Sequence, residues 1–305
     1  MAARTLRCPV SIVVVTYNSA EYLGRCLAAV GDDGAEVVVV DNASPDGVAE
    51  FTRRDFPHVN VIEQRGNSGF GTAANVGVAA TSNRWILLLN PDAWPMEDAV
   101  ERLVEFAERQ PRLGAAGPVL FNPEGGRERS TVKPPLSPAA LAAWAAFPSA
   151  VSGVYGVWRR VTGRLRRTRV GDAEFLQGAA LLVRAEAFAQ VGGFDESFFM
   201  FGEDADLCAR LREAGWAIAL CPTSAFVHVG SGSTRLESER MYRELLRSWL
   251  RLISKRKGLR EAERARRWLL HALRLRALRS NEPGNRAAVS WLSAQPLEKL
   301  LDPPG

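Results

Sequence analysis

Three carboxylates within four residues are the strongest chemical feature of this sequence. Glu203, Asp204 and Asp206 follow the four large apolar residues 198–201, with Gly202 between them. At the start of a helix, one or two acids would be explained by capping of free N–H groups and by the helix dipole. Crowding beside apolar residues can instead raise a carboxyl pKa towards the range of a general base, whereas a helix N-terminus lowers it. The residues alone leave open which effect dominates.

Asp92 and His228 are candidates for binding a divalent cation. Asp92 follows a predicted strand, and the turn at Pro91 would present its carboxylate beyond the sheet edge. One carboxylate can complete a site for Mg²⁺ or Mn²⁺ when phosphate oxygens and a distant side chain supply further ligands. His228, between an apolar run and a glycine-containing segment, is a candidate for that ligand. The alternatives are a helix cap at Asp92 and a structural role for His228.

The first 110 residues alternate predicted strands and helices. The strand segments are continuous apolar runs without polar alternation, which indicates strands buried on both faces of a parallel sheet. Alternation at this spacing predicts right-handed βαβ units and a doubly wound α/β fold. We predict strands at 10–16, 37–40, 59–64 and 85–89, and helices at 22–30, 70–80 and 98–110.

Polar side chains follow each of the four predicted strands. Ligands of such sheets bind beyond the carboxyl ends of the strands, so these side chains predict a nucleotide site. Asn and Asp also favour turns, which is the alternative at any single strand end. Four polar strand ends on one edge favour a binding site. The residues concerned are Thr16, Tyr17, Asn18, Asp41, Asn42, Asn67, Asn90 and Asp92.

NAD(P)-dependent enzymes and nucleotidyltransferases also bind nucleotides, but the sequence lacks features that both classes need. Residues 69–74 satisfy the G-x-G-x-x-A pattern of NAD(P)-binding folds, but they lie in the third βα unit rather than the first. Residues 17–22, after the first strand, contain no glycine that would let a pyrophosphate approach. A nucleotidyltransferase would need glycine and lysine after that strand, and residues 17–30 contain no lysine.

Beyond residue 121 the regular alternation ends. Residues 122–172 are rich in proline and glycine, contain several arginines and are expected to form a flexible segment. Within them, residues 136–158 carry no charge but include two prolines, which favours contact with a surface over a membrane span. Regular structure is expected again from residue 175.

The C-terminal residues 235–305 are expected to form a basic helical tail. Residues 231–305 contain 17 Lys or Arg against 8 Asp or Glu, and apolar residues recur at helical spacing between 240 and 279. Such a basic amphipathic helical pair either covers the catalytic domain or docks on an anionic membrane surface. The remainder of the chain is net acidic and has no recognition motif, so we expect no nucleic-acid binding.

The cysteines and the N-terminus predict a cytoplasmic protein, at most peripheral on the inner face of the membrane. Four cysteines without a C-x-x-C pair do not indicate a disulfide framework or a zinc site. The seven-residue strand-like run 10–16 is too short for the hydrophobic region of a secretory signal with its cleavage site.

Seven segments between residues 10 and 234, in order along the chain, resemble the inverting family 2 glycosyltransferases of the GT-A fold, and most closely their bacterial rhamnosyltransferase-like branch. The segments are SIVVVTYNSAEYLGRCL, VVVVDNASPDG, GNSGFGTAANVG, WILLLNPDAWP, FLQGAALLVRAEAF, GGFDESFFMFGEDADLCARLREAGW and HVGSGS. The resemblance implies a Rossmann-like mixed sheet flanked by helices. It also implies four regions: a nucleotide-sugar-binding half (1–121), the segment 122–172, an acceptor and catalytic half (173–234) and the tail 235–305.

The resemblance assigns a role to each matching position. Asp204 stands at the position of the catalytic base, with Glu203 beside it on the acceptor side. Asp92 stands at the metal-binding D-x-D position, although Asn90 replaces the first carboxylate, and His228 matches an additional metal ligand. The base and ribose would be held by Thr16, Tyr17, Asn18, Asp41 and Asn67, the donor pocket completed by Asn75, and the acceptor contacted by Trp216.

The reaction implied by this resemblance is a single displacement. Asp204 would take a proton from an acceptor hydroxyl, which attacks the anomeric carbon as the nucleoside diphosphate leaves. Asp206 is a weaker candidate for the base, because two residues on along a helix its side chain points elsewhere. The branch favours dTDP-rhamnose over UDP sugars as donor, with a glycan, a lipid-linked sugar or a small natural product as acceptor. A non-catalytic subunit that binds sugar nucleotides is the alternative, which the intact Glu203, Asp204 and His228 oppose.

Overall fold

The computed structural model describes residues 9–31, 34–128, 137–146, 173, 175–230, 238–279 and 283–302. The chain divides into two compact units. The first contains residues 1–132, 170–196 and 203–235, and the second contains residues 133–169, 197–202 and 236–305. The four functional regions expected from the sequence, 1–121, 122–172, 173–234 and 235–305, stay a prediction.

Four parallel strands form one half of the sheet in the first unit, in the order β3-β2-β1-β4. All residues of β1 and β4 are buried, which is the two-sided burial that their apolar runs predict. The strands are β1 (Val10–Thr16), β2 (Glu36–Asp41), β3 (Asn60–Glu63) and β4 (Trp85–Leu89), and the helices between them are α1 (Ala20–Val30), α2 (Val48–Asp55) and α3 (Phe70–Ala79).

The other half of the sheet is mixed, as the resemblance implies and unlike an all-parallel doubly wound sheet. The full order is β3-β2-β1-β4-β7-β6-β8-β5, with β7 antiparallel to both β4 and β6. These strands are β5 (Ala93–Pro95), β6 (Leu113–Phe121), β7 (Ala180–Arg184) and β8 (Ala217–His228), and the helices among them are α4 (Ala99–Glu108), α6 (Ala185–Gln190) and α7 (Glu203–Glu213).

Close packing of α3 against the sheet depends on Gly77. A Cβ at this position would lie 2.4 Å from Val13 Cγ1 and 3.0 Å from Val40 Cγ2, so a larger residue would push α3 away from β1 and β2. The glycine thereby sets the distance between α3 and the strands whose ends carry the predicted nucleotide-binding residues.

The second unit is helical and contains α5 (Pro138–Ala146), α8 (Ser238–Lys257), α9 (Leu259–Arg279), α10 (Pro283–Ala294) and α11 (Leu297–Leu301). The predicted basic helical pair corresponds to α8 and α9, which meet at Gly258 with φ of +86°. Leu250, Leu269 and Leu273 are fully buried in the core of this unit. None of the helices that the structure describes is long and apolar enough to cross a membrane.

Helix α5 departs from the expectation for residues 122–172. Instead of irregular chain in contact with a surface, residues 138–146 form a helix whose Leu141 and Ala145 are fully buried in the core of the second unit. The expectation failed because Ala is a strong helix former and the apolar residues serve internal packing. Residues 129–136 and 147–172 of the expected segment lie outside the described residues.

Candidate active site

The carboxyl ends of β1 and β2 lie side by side at one edge of the sheet. Thr16 and Asp41 are register partners, and both are buried. Asp41 Oδ1 accepts a hydrogen bond of 3.0 Å from the backbone N–H of Ser44. Among the described residues, the buried Thr16 hydroxyl has no hydrogen-bond partner. Because a buried hydroxyl normally finds one, Thr16 is available to a ligand at this edge.

Asn42 and Asn67 connect the loops after β2 and β3. Asn42 Nδ2 donates to Asn67 Oδ1 over 2.9 Å, and Asn67 Oδ1 also accepts from the N–H of Gly69 over 3.1 Å. Asn18, after β1, has a positive φ of 51°, and its N–H donates to Ser44 Oγ over 3.1 Å. Hydrogen bonds thus hold the loops after β1, β2 and β3 together, while the side chain of Tyr17 beside them is half-buried.

The G-x-G-x-x-A segment serves packing between α3 and the start of α7. A Cβ at Gly71 would lie 3.1 Å from Phe194 Cβ and 3.8 Å from Glu203 Cβ. The second glycine of the pattern therefore faces protein atoms instead of an open phosphate site. This contact explains the pattern without a dinucleotide.

Asn75 holds the turn that precedes α7 in the chain. Its Nδ2 donates to the carbonyl of Phe194 over 3.0 Å, and its Oδ1 accepts from the N–H of Phe194 over 2.9 Å. Nδ2 also lies 3.1 Å from Glu196 Oε1. Both polar atoms of the Asn75 side chain are thus hydrogen-bonded to residues 194–196. Asn75 would therefore affect a donor pocket by holding this turn in place.

Asp204 lies in the first turn of α7 with both carboxylate oxygens hydrogen-bonded. Oδ2 accepts from the N–H of Gly178 over 3.0 Å, and Oδ1 accepts from the N–H of Ala205 over 2.8 Å. Burial raises the Asp204 pKa above its ordinary value, although these N–H groups oppose the shift. The effect of burial on the Asp204 pKa is therefore larger than the opposing effect of the helix N-terminus. The sequence alone did not decide between these two effects. A carboxylate with a raised pKa is a stronger base.

Glu203 is buried beside Asp204. Burial raises the Glu203 pKa, and the negative charge of Asp204 raises it further. Among the described residues, Glu203 Oε2 has no hydrogen-bond partner. Asp204 and Glu203 thus differ in their surroundings, because two backbone N–H groups bind the Asp204 carboxylate whereas Glu203 Oε2 has no partner among the described residues.

Asp206 is engaged in a structural ion pair. Its Oδ2 lies 2.6 Å from Nε of Arg210, and its side chain is fully buried. Arg210 Nη1 also donates to the carbonyl of Val191 over 2.7 Å. The pair ties α7 to the end of α6, so Asp206 is not a second candidate for the base.

Backbone pairing brings Asp204 to the same sheet edge as Asp92. Asp204 contacts the N–H of Gly178, and the next residue, Ala179, accepts a 2.9 Å hydrogen bond from the N–H of Asn90. Asn90 precedes Asp92 by two residues. Both residues, more than a hundred positions apart in the chain, therefore lie next to the place where the end of β4 pairs with the start of β7.

The buried residues Asp92 and His228 and the half-buried Glu128 form a cluster at the ends of β5 and β8. Ala93 pairs with His228, and the N–H of Val229 donates to the Asp92 carbonyl over 3.0 Å. His228 Nε2 lies 3.6 Å from Asp92 Oδ1, and His228 Nδ1 lies 3.0 Å from Glu128 Oε2. Glu128 was not predicted from the sequence. It lies in the segment expected to be irregular, and no periodicity links it to a histidine 100 positions away.

The cluster is not a complete metal site by itself. Within the part of the chain that the structure describes, no group of three His, Cys, Asp or Glu side chains is arranged to hold a metal ion. Asp92 and His228 would supply two ligands, one oxygen and one nitrogen, and the remaining ligands would come from a bound diphosphate and water.

Trp216 lies apart from these residues. Its Nε1 donates to Gln190 Oε1 over 2.8 Å, and a Cβ on Gly114 would lie only 2.7 Å from its Cβ. Trp216 follows the C-terminus of α7, whereas Asp204 is at its N-terminus, so about 16 Å of helix separates them. Trp216 packs at the far end of the sheet, and the structure does not bring it to the site.

The model of the family described as "Glycosyl transferase family 2" matches residues 11–192 of this chain, which is more than half of its length. The chain belongs to glycosyl transferase family 2. A second model, "Glycosyl transferase family group 2", matches residues 138–296 of this glycosyltransferase. Membership decides against the NAD(P)-dependent and nucleotidyltransferase alternatives.

Relatives of this family 2 glycosyltransferase include named rhamnosyltransferases. It is 32% identical over 244 residues to the N-acetylglucosaminyl-diphospho-decaprenol L-rhamnosyltransferase of Mycobacterium tuberculosis, covering 73% of this chain and 76% of the relative. It is 24% identical over 261 residues to the rhamnosyltransferase WbbL of Escherichia coli, covering 82% of this chain and 94% of the relative. The chain is therefore a rhamnosyltransferase-like member of the family.

Solved structures share the fold of this glycosyltransferase. The mannosyltransferase PcManGT of Pyrobaculum calidifontis, in complex with GDP-Man and Mn²⁺, gives a TM-score of 0.52 at 18% identity, covering 96% of this chain and 82% of that chain. S. aureus TarS 1-349, in complex with UDP, gives a TM-score of 0.51 at 17% identity, covering 87% of this chain and 70% of that chain. These likenesses confirm the predicted GT-A fold.

Proposed function

We propose that this glycosyltransferase moves rhamnose from dTDP-rhamnose to a hydroxyl of a lipid-linked glycan, with inversion at the anomeric carbon. The observation that carries the proposal is the position of the half-buried Asp204 carboxylate, held by the N–H of Gly178, at the sheet edge that holds Asp92. The rhamnosyltransferase relatives support the sugar, and the polyprenyl diphosphate in the name of the mycobacterial relative supports the acceptor class.

Asp204 acts as the general base. The N–H groups of Gly178 and Ala205 fix its carboxylate, and its raised pKa strengthens it as a proton acceptor. The acceptor O–H gives its proton to Asp204 as the oxygen forms a bond to the anomeric carbon. The bond from that carbon to the diphosphate oxygen breaks on the opposite face, which inverts the configuration. Glu203, buried beside the base, is placed on the acceptor side, where its unpartnered Oε2 can hydrogen-bond to the acceptor.

The edge formed by the ends of β1, β2 and β3 holds the nucleoside. The unpartnered hydroxyl of Thr16 and the carboxylate of Asp41 would bind polar groups of the base or ribose. Asn67, fixed by Asn42, would present its remaining amide group to the same moiety. Tyr17 and Asn18 line the adjoining turn and complete this set. Asn75 contributes indirectly by holding residues 194–196.

Asp92 and His228 fit a divalent cation, Mg²⁺ or Mn²⁺. Both are buried, and an oxygen and a nitrogen ligand lie 3.6 Å apart. The bond from His228 Nδ1 to Glu128 leaves Nε2 directed at Asp92, which is the orientation a ligand needs. When bound, such an ion stabilises the negative charge that develops on the leaving diphosphate.

The reaction site is proposed to lie at the inner face of the cytoplasmic membrane. A polyprenyl-linked acceptor stays in the bilayer, so the enzyme would reach it from the membrane surface. The basic second unit would supply that contact.

Donor and product analysis tests the proposed function. Thermal shift with dTDP-rhamnose, UDP sugars and GDP-mannose, each with Mg²⁺ or Mn²⁺, should give the largest stabilisation with dTDP-rhamnose. Transfer to a short-chain polyprenyl diphosphate-linked N-acetylglucosamine should give a disaccharide with the anomeric configuration opposite to that of the donor. A product with retained configuration, or a preference for another donor, would contradict the corresponding part of the proposal.

A further inference from the structure

Helix α9 exposes three large apolar side chains on one face. The exposed fractions are 53% for Trp268, 52% for Leu275 and 85% for Leu278. Arg264, Arg267 and Arg274 are exposed between them. At 3.6 residues per turn, these six residues fall within an arc of about 120°. We call them the α9 outer face.

The core of the second unit does not require the α9 outer face. Ala262, Ala265, Leu269 and Leu273 lie on the opposite side of α9 and are fully buried in that core. The helix therefore has two apolar surfaces, of which one is covered and one is exposed to solvent. An exposed cluster of Trp and Leu flanked by polar residues is typical of an interaction surface.

The charges of α9 are arranged asymmetrically along the helix. Its two acids, Glu261 and Glu263, lie near its start, where they pair with Arg264 over 2.6 Å and with Arg267 over 3.4 Å. Residues 268–279 contain no acid and three arginines. Apolar side chains interleaved with arginines are the pattern that lies in the interface of an anionic bilayer.

Other occupants of the α9 outer face fit its charge poorly. A second copy of the same face would bring arginines against arginines. Residues 147–172 of this chain contain six arginines and one acid, so they also carry the same sign of charge. An anionic phospholipid surface is complementary both to the arginines and to the apolar residues between them.

We propose that the α9 outer face docks on an anionic phospholipid bilayer. The helix lies parallel to the surface, with Trp268, Leu275 and Leu278 at the boundary between headgroups and acyl chains and the arginines on lipid phosphates. Docking of this face on a bilayer does not depend on the proposed function. Only its purpose, access to a lipid-linked acceptor, rests on that proposal.

Co-sedimentation with vesicles tests the docking. The full-length protein is mixed with vesicles of phosphatidylcholine alone or of phosphatidylcholine and phosphatidylglycerol in equal amounts, at low and high salt. We expect binding to the anionic vesicles, reduced at least ~10-fold by high salt or by omission of phosphatidylglycerol. Equal binding to neutral vesicles would overturn the proposal.

Two triple variants separate the apolar and the charged contributions. Trp268→Ser/Leu275→Ser/Leu278→Ser and Arg264→Gln/Arg267→Gln/Arg274→Gln should each reduce anionic vesicle binding at least ~10-fold. Met96→Ser is the control, because Met96 is an apolar side chain of the first unit with 48% exposure. This variant should bind anionic vesicles as strongly as the unaltered protein does. Each variant is checked for folding by its thermal stabilisation with donor nucleotide, which should not change.

Two outcomes with the variants would overturn the proposal. One is vesicle binding by the apolar triple variant equal to that of the unaltered protein. The other is a dimer in sedimentation equilibrium that the apolar triple variant dissociates, which would assign the α9 outer face to a second copy. These assays measure vesicle binding and not sugar transfer, so a failure to bind vesicles would not contradict the proposed reaction. Conversely, Asp204→Asn should bind vesicles normally, so a failure of the proposed base leaves docking intact.

Discussion

The carboxylate of Glu128 lies 3.0 Å from Nδ1 of His228 and fixes the orientation of the histidine ring. An ionised carboxylate accepts hydrogen bonds, so this contact favours a proton on Nδ1 and directs Nε2 towards Asp92 Oδ1, which lies 3.6 Å away. Glu128 is thus a candidate positioning residue for the proposed metal ligand, because its side chain contacts the His228 ring.

Loss of Glu128 should weaken metal binding. Glu128→Ala is expected to reduce Mn²⁺ affinity about 10–100-fold, measured by the electron paramagnetic resonance signal of free Mn²⁺ in the presence of dTDP. Glu128→Gln, which retains an acceptor oxygen, should recover part of the affinity. Glu124→Ala changes an exposed acid of the same loop and serves as the control. Unchanged affinity in Glu128→Ala would show that the His228 contact does not act on a metal.

Loss of His228 should raise the metal requirement of the reaction. In His228→Ala, the metal concentration for half-maximal transfer is expected to rise at least ~10-fold, because one nitrogen ligand is removed. Titration of activity with Mg²⁺ or Mn²⁺ measures this change, and His58→Ala, at an exposed histidine, is the matched control. The same metal dependence in His228→Ala and the unaltered enzyme would remove His228 from the ligand set.

Protonation of Glu203 should couple folding to pH. Burial raises its pKa in the folded chain, so the folded state holds this proton more tightly than the unfolded state does. The stabilisation is fully present below the unfolded pKa, near ~4, and is lost as pH rises through the folded pKa. Urea unfolding from pH 5 to pH 9 should therefore show a steeper loss of stability in the unaltered protein than in Glu203→Gln. Parallel stability curves for the two proteins would contradict the raised pKa.

Loss of Asp206 should affect stability through its ion pair with Arg210. Asp206→Asn leaves the partly buried guanidinium without its 2.6 Å partner, and we expect the free energy of unfolding to fall by about 2–3 kcal/mol. Urea unfolding measures the change, with Glu213→Gln, at an exposed acid of the same helix, as the control. A free energy equal to that of the control would mean that the pair is not structural.

Local patterns predicted the strands at the proposed nucleotide-binding edge well. The apolar runs of β1 and β4 predict two-sided burial, and parallel pairing then places Thr16 beside Asp41 without any knowledge of tertiary contacts. Periodicity in the same way predicted α8 and α9. These features depend on residues close together in the sequence.

Long-range contacts were not predictable in this way. The partnership of Glu128 with His228 joins two residues in different segments with no shared pattern. The helix at Pro138–Ala146 belongs to a core only because it packs against α9. Trp216 lies far from Asp204 because the length of α7 separates them. The balance between burial and the helix N-terminus at Asp204 likewise depends on atoms that only the folded chain assembles.

Single-turnover transfer by Asp204→Asn tests the assignment of the base most directly. The amide keeps the shape of the side chain but cannot take the acceptor proton, so the transfer rate should fall at least ~100-fold. Thermal stabilisation by the donor nucleotide should remain nearly unchanged, which separates loss of chemistry from loss of binding or folding. Transfer by Asp204→Asn at the rate of the unaltered enzyme would contradict a mechanism in which Asp204 is the general base.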